Sequence, residues 1–78
     1  MKIEKKLENI FKEIFKIKKK INLKITIENE KNWDSINHMK LMIALEEEFK
    51  IKIPTIEQQN LISFEIITNF IKKRIKGK

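Results

Sequence analysis

One serine stands where a helix must begin. In Asn32-Trp33-Asp34-Ser35-Ile36 the aspartate is a strong helix N-cap, because its carboxylate accepts from the free N–H groups of a first turn. Ser35 is then the first helical residue, with its hydroxyl near the positive end of the helix dipole. A phosphate ester on that hydroxyl would be stabilised close to the same N–H groups. The other chemistry open to Ser35, nucleophilic attack, needs a base. No lysine or dyad partner is spaced to serve as one, and His38 is the single histidine of the chain. Ser35 therefore reads as a residue modified by another enzyme, and no catalytic residue is expected. Taken alone, an Asp-Ser pair is most simply a helix cap. One histidine without any cysteine does not make a metal site, so His38 is read as a packing or capping residue. Trp33 is expected to pack over the first turn, against His38, as a staple does.

The elements that must hold this serine follow from apolar periodicity. The helix opened by Ser35 is predicted to run to Lys50. At about 100° per residue its apolar side chains form two stripes. Leu41, Met42, Leu45 and Phe49 make a core stripe that continues to the helix end. Ile36, Met39 and Ile43 make a second stripe beside Ser35, partly exposed and suited to contact a partner. Asn37, Lys40, Glu47 and Glu48 cover the rest, and Glu46, Glu47 and Glu48 sit at the unfavourable end of the dipole. Upstream, Ile3, Leu7, Ile10, Phe11 and Ile14 predict a first helix that fades near Ile17 to Lys20. Ile21, Leu23, Ile25 and Ile27 alternate with polar residues but have no strand partner, so residues 18–33 are read as an extended loop pinning alternate aliphatics. Downstream, Ile51 to Pro54 is an extended link. Thr55 is expected to cap a short third helix to about Asn60, and Ser63 a last helix from Phe64 to Ile75. Phe64, Ile67, Phe70, Ile71 and Ile75 would be its buried side, and Gly77 its stop.

Seventy-eight residues make one domain, near the size where a single core just suffices. Without cysteine there is no disulfide framework, and any thiol chemistry must come from an attached group. No apolar run is long enough to span a membrane, and no signal-peptide core is visible, which suggests a cytoplasmic protein. The formal net charge is +7, unevenly spread. Ten lysines against five glutamates give residues 1–33 a charge of +5. Residues 34–62 carry −2, and residues 63–78 carry +4. Basic ends could attract polyanions through phosphate contacts. No recognition motif or aromatic interleaving accompanies the lysines, so no specific nucleic acid is expected.

Asp34-Ser35-Ile36, followed by Leu41-Met42-Ile43-Ala44-Leu45-Glu46-Glu47-Glu48-Phe49 and then Ile53-Pro54, resembles an acyl carrier protein. The likeness runs from about Trp33 to Ile71. It implies an all-α fold, a small four-helix carrier bundle with a long first loop and a short third helix. It implies that Ser35, next to Asp34 in the attachment motif, bears a 4′-phosphopantetheine arm taken from coenzyme A. A phosphopantetheinyl transferase using Mg²⁺ would attach it. The arm's thiol would hold acyl groups as thioesters for acyl-loading and acyl-transfer enzymes, with the carrier itself a monomer and not an enzyme. The partner face would comprise Ile36, Met39, Ile43, Glu46 and Glu47, flanked by Lys40. The family is usually acidic and often has acidic residues at the positions of Asn37 and Lys40. That departure suggests a specialised pathway in place of bulk fatty acid synthesis. An aminoacyl or peptidyl carrier is the nearest alternative. A basic helical nucleic-acid-binding module, or an interaction module with Ser35 unmodified, is a more distant one.

Overall fold

The computed structural model describes residues 2–76 and contains four helices: α1 (Lys2–Phe15), α2 (Ser35–Phe49), α3 (Thr55–Gln58) and α4 (Phe64–Lys76). The all-α bundle expected from the sequence is the fold observed. In α1, apolar residues recur every three or four positions with no proline or glycine between them. Leu7, Phe11 and Phe15 are fully buried, with Ile3, Ile10 and Ile14 partly buried against them. Phe15 was absent from the predicted apolar face, yet it stacks on Trp33 at 5.0 Å and meets Phe11 edge-on at 5.3 Å. Phe11 in turn meets Trp33 at 5.4 Å and Phe64 at 4.9 Å, both edge-on. Such pairs contribute about 0.5–1.5 kcal/mol each beyond area burial. They join α1, the residue before the Asp34 cap and the start of α4 in one cluster.

α1 packs against both α2 and α4, antiparallel to each. Near its start, Lys6 pairs with Glu48 at the end of α2 at 3.3 Å, and Glu4 pairs with Lys72 late in α4. At its far end, the Asn32 side-chain amide donates to the Phe15 carbonyl at 2.8 Å. Exposed ion pairs contribute little stability, but these show which ends meet. The hydrogen bond from Lys72, followed by one from its own backbone N–H, holds the Glu4 carboxyl below the usual carboxylate range. α1 and α2 terminate alike. Lys16 and Lys50 adopt φ 57°, and the N–H groups of Ile17 and Ile51 reach back to the carbonyls of Lys12 and Glu46 at 3.1 and 3.2 Å. Glycine usually fills that left-handed place, and a lysine there costs roughly 1–2 kcal/mol. The one glycine, Gly77, expected to stop α4, lies outside the described residues.

The loop between α1 and α2 departs from strict alternation. Ile21 is buried and Ile25 and Ile27 are half-buried, but Leu23 is 61% exposed. Asn22 is the cause. Its side chain accepts from Lys24 N–H at 2.8 Å and its carbonyl from Ile25 N–H at 3.1 Å, so a turn carries Leu23 outwards. The segment also finds the partner that the sequence did not reveal. Thr26 forms an isolated antiparallel bridge with Ser63. Ile27 N–H donates to the Ile62 carbonyl and Phe64 N–H to the Ile25 carbonyl, both at 2.9 Å.

Two helix boundaries also differ. Pro54, not Thr55, precedes α3, and no side chain caps it; the Pro54 carbonyl accepts from Glu57 and Gln58 N–H at 2.9 and 3.0 Å. α3 ends at Gln58 and the chain turns through Asn60, with Asn60 N–H donating to the Glu57 carbonyl at 3.0 Å. α4 follows expectation at its start, where the Ser63 hydroxyl accepts from Ile66 N–H at 3.0 Å. Phe64, Ile67 and Ile71 are fully buried and Phe70 is half-buried. Ile75, predicted to be buried, is 36% exposed, because the last turn extends past the core. Among the described residues, no helix is long and apolar enough to cross a membrane.

Candidate functional site

Ser35 opens α2 with its side chain exposed. Asp34 precedes it in extended conformation, φ −105° and ψ −174°. The Asp34 carboxylate accepts from Asn37 N–H at 2.8 Å, and its carbonyl accepts from His38 N–H at 2.8 Å as the first helical hydrogen bond. A helix leaves its first N–H groups without intrahelical acceptors. With that of Asn37 capped, those of Ser35 and Ile36 remain at the open end beside the seryl oxygen. Two asparagines brace this end. Asn37 donates its side-chain amide to the Asn32 carbonyl at 2.7 Å, while the Asn32 side chain is tied to the end of α1. Neither role was read from the sequence, because both depend on the chain doubling back.

His38 is committed on both sides of its ring. Nδ1 accepts from the Trp33 indole N–H at 2.9 Å, and Nε2 lies 2.9 Å from the Gln58 carbonyl. A carbonyl only accepts, so Nε2 carries the proton and Nδ1 the lone pair. The two ring planes lie within 24° of each other with centroids 6.1 Å apart, edge to edge as this hydrogen bond requires. The ring thus clamps α2 to α3 and to the aromatic cluster, and neither nitrogen is left to take a proton from Ser35. The Trp33–His38 contact matches the sequence expectation. The link to α3, four residues with no side-chain cap, does not appear in any local pattern.

The two stripes of α2 separate as predicted. Leu41, Met42, Leu45 and Phe49 are buried, whereas Ile36, Met39 and Ile43 are 68%, 63% and 49% exposed. Lys40 and Glu47 are exposed beside the open stripe. They line a groove of about 590 Å³ between α1 and α2, together with Ile14, Lys16, Asn37 and Ile43. Glu46 is placed differently from Glu47. One of its carboxylate oxygens accepts from Ile53 N–H at 2.8 Å, satisfying a donor of the link before Pro54. Gln58 completes the link by donating to the Ile53 carbonyl at 2.9 Å. The structure thus groups Asp34, Ser35, Ile36, Met39, Lys40, Ile43 and Glu47 on one open face, and turns part of Glu46 inward.

The chain is 36% identical over 74 residues to the acyl carrier protein of Buchnera aphidicola subsp. Baizongia pistaciae (strain Bp), a match covering 94% of this chain and 95% of that protein. The chain belongs to the acyl carrier protein family. Acyl carrier proteins of Campylobacter concisus (strain 13826) and Campylobacter curvus (strain 525.92) are 40% and 42% identical over 40 residues, about half of each chain. No family model matches the sequence. An acyl carrier protein is a carrier and not a catalyst, and its partners are acyl-handling enzymes. An exposed serine with no base, on a helix with an open apolar stripe, is compatible with a surface that other enzymes act on.

Proposed function

We propose that this acyl carrier protein bears a 4′-phosphopantetheine on Ser35 and presents acyl thioesters to enzymes of a specialised pathway. The observation that carries the reading is Ser35 itself. It is exposed on the first turn of α2, beside open N–H groups that favour an anionic ester, with the nearby imidazole fully occupied. The residues present suit such a group. Asp34 fixes the helix start without covering the seryl oxygen, and no cation or base is needed there. When attached, the arm supplies the thiol that a chain without cysteine lacks.

The chain's own part is presentation. Ile36, Met39 and Ile43 offer apolar contact beside Ser35, with Lys40 and Glu47 at their edge and the remaining oxygen of Glu46 at the helix end. A cation at Lys40, and a neutral Asn37 before it, favour partners other than those serving acidic carriers. An aminoacyl cargo fits the same surface, and the whole chain acts as a single carrier domain. The test is intact-mass analysis after incubation with coenzyme A, Mg²⁺ and a phosphopantetheinyl transferase. Wild type and Ser63→Ala should gain the arm and Ser35→Ala should not. A gain by folded Ser35→Ala overturns the proposal.

A further inference from the structure

Far from Ser35, the other end of α2 builds a second surface. α2 has 15 residues, so its two ends lie roughly 20 Å apart. There the link after α2 and the last turns of α4 enclose a groove of about 700 Å³. Four cations line it, Lys50, Lys52, Lys73 and Arg74, against two carboxylates, Glu46 and Glu47. One oxygen of Glu46 is already held by the Ile53 N–H. Arg74 adds a second observation. Its guanidinium lies over the Phe70 ring at 5.1 Å, which joins the cationic groove to the apolar surface beside it. Guanidinium N–H groups are matched best by phosphate or carboxylate oxygens.

The neighbouring surface narrows the source. Along the outward face of α4, Ile66 is 44% exposed and Phe70 half-buried, one turn apart. They border a smaller groove of about 360 Å³ that shares Lys73 with the first and has Glu57 as its acidic group. Apolar side chains continuous with a cationic cleft suit the boundary between lipid headgroups and acyl chains. They do not suit nucleic acid, which calls for stacking platforms or base-reading groups.

We propose that the groove between the α2–α3 link and α4 binds a phosphate ester, that of an anionic lipid headgroup, with Ile66 and Phe70 resting on the apolar layer beneath. The groove shares Glu46 and Glu47 with the edge of the partner face, while Ser35 itself stays at the opposite end of α2. The proposal does not depend on what Ser35 carries.

Sedimentation with phosphatidylcholine vesicles, with and without phosphatidylglycerol, tests it at about 0.15 M salt. Only the anionic vesicles should retain the protein. Arg74→Gln and Lys52→Gln should each lower retention by about fivefold. Lys18→Gln, an equal charge change in the loop at the Ser35 end, should alter it less than about twofold. Thermal melts confirm that each variant is folded, and Lys52→Gln carries the test should Arg74→Gln fail to fold. Equal losses in all three variants would mean diffuse attraction by net charge and would overturn the site. A companion titration with inorganic pyrophosphate, followed by backbone amide shifts, separates the sources. Shifts at the groove without vesicle retention would assign the cleft to a soluble phosphate ester and overturn the lipid source. No shifts and no retention would overturn both. Preferential retention by duplex DNA over anionic vesicles would also refute it.

Discussion

Replacing His38 with alanine separates a structural clamp from a chemical role. The substitution removes an acceptor from the Trp33 indole N–H and a donor from the Gln58 carbonyl. Trp33 is 4% exposed, so its N–H is left buried and unpaired, at a cost of about 1–3 kcal/mol. The Gln58 carbonyl is nearer the surface and loses about 0.5–1 kcal/mol. Loss of the ring's remaining van der Waals contacts adds about 0.5 kcal/mol. The sum is about 2–4 kcal/mol, a large share of what a chain of this size has in total. For so small a domain it corresponds to roughly 10–30 °C in melting temperature. His38→Gln keeps one donor and one acceptor and should lose about half as much. Urea and thermal melts followed by circular dichroism and by the fluorescence of the single tryptophan measure both variants. Below its melting temperature, His38→Ala should still accept the arm on Ser35 within about twofold of the wild-type rate. A melting temperature within about 3 °C of wild type would refute the clamp. A folded variant that cannot be modified would refute the claim that the imidazole takes no part at Ser35.

Met39→Ala and Leu45→Ala contrast the two stripes of α2. Leu45 is fully buried and should cost about 2–5 kcal/mol in a urea melt, while Met39, 63% exposed, should cost less than about 1 kcal/mol yet slow acyl loading. Equal destabilisation would show that the stripes are not distinct in energy. Lys40→Glu should raise rates with enzymes that serve acidic carriers and lower them with this protein's own partner. Unchanged rates with both would remove Lys40 from specificity. Lys72→Met should raise the Glu4 carboxyl towards its ordinary value in a carbon-detected titration. The folded-state value is the lowered one, so the pair's stabilisation is present above the ordinary carboxylate value. It is lost as pH falls through the lowered one. A Glu4 titration unaffected by the substitution would mean that Lys72 is not the cause.

Much of the architecture could be read from residue spacing, because helices report their buried face locally. The Asp34 cap, the split of α2 and the Ser63 cap needed only the 3.6-residue period and short-range hydrogen bonding. Phe15 was overlooked because the predicted first helix was anchored on Ile14, one residue earlier. The packing of Trp33 decides between the two. Leu23 was misjudged because alternation assumes an extended chain, and Asn22 folds that chain into a turn. The grip of His38 on Gln58 and of Glu46 on the Ile53 N–H spans 20 and 7 residues. Each depends on where α3 docks, which no local pattern states. The meeting of Arg74 and Lys73 with Lys52 in one groove is likewise visible only once α4 lies against the link after α2.

The most direct test of the account is to map the modified residue by fragment-ion mass spectrometry of the wild-type chain. The protein should be treated with coenzyme A, Mg²⁺ and a phosphopantetheinyl transferase, then digested. A single phosphopantetheine ester on Ser35, with Ser63 and the three threonines unmodified, is the predicted result. An arm found on any other residue, or a folded chain that never accepts one, would contradict it.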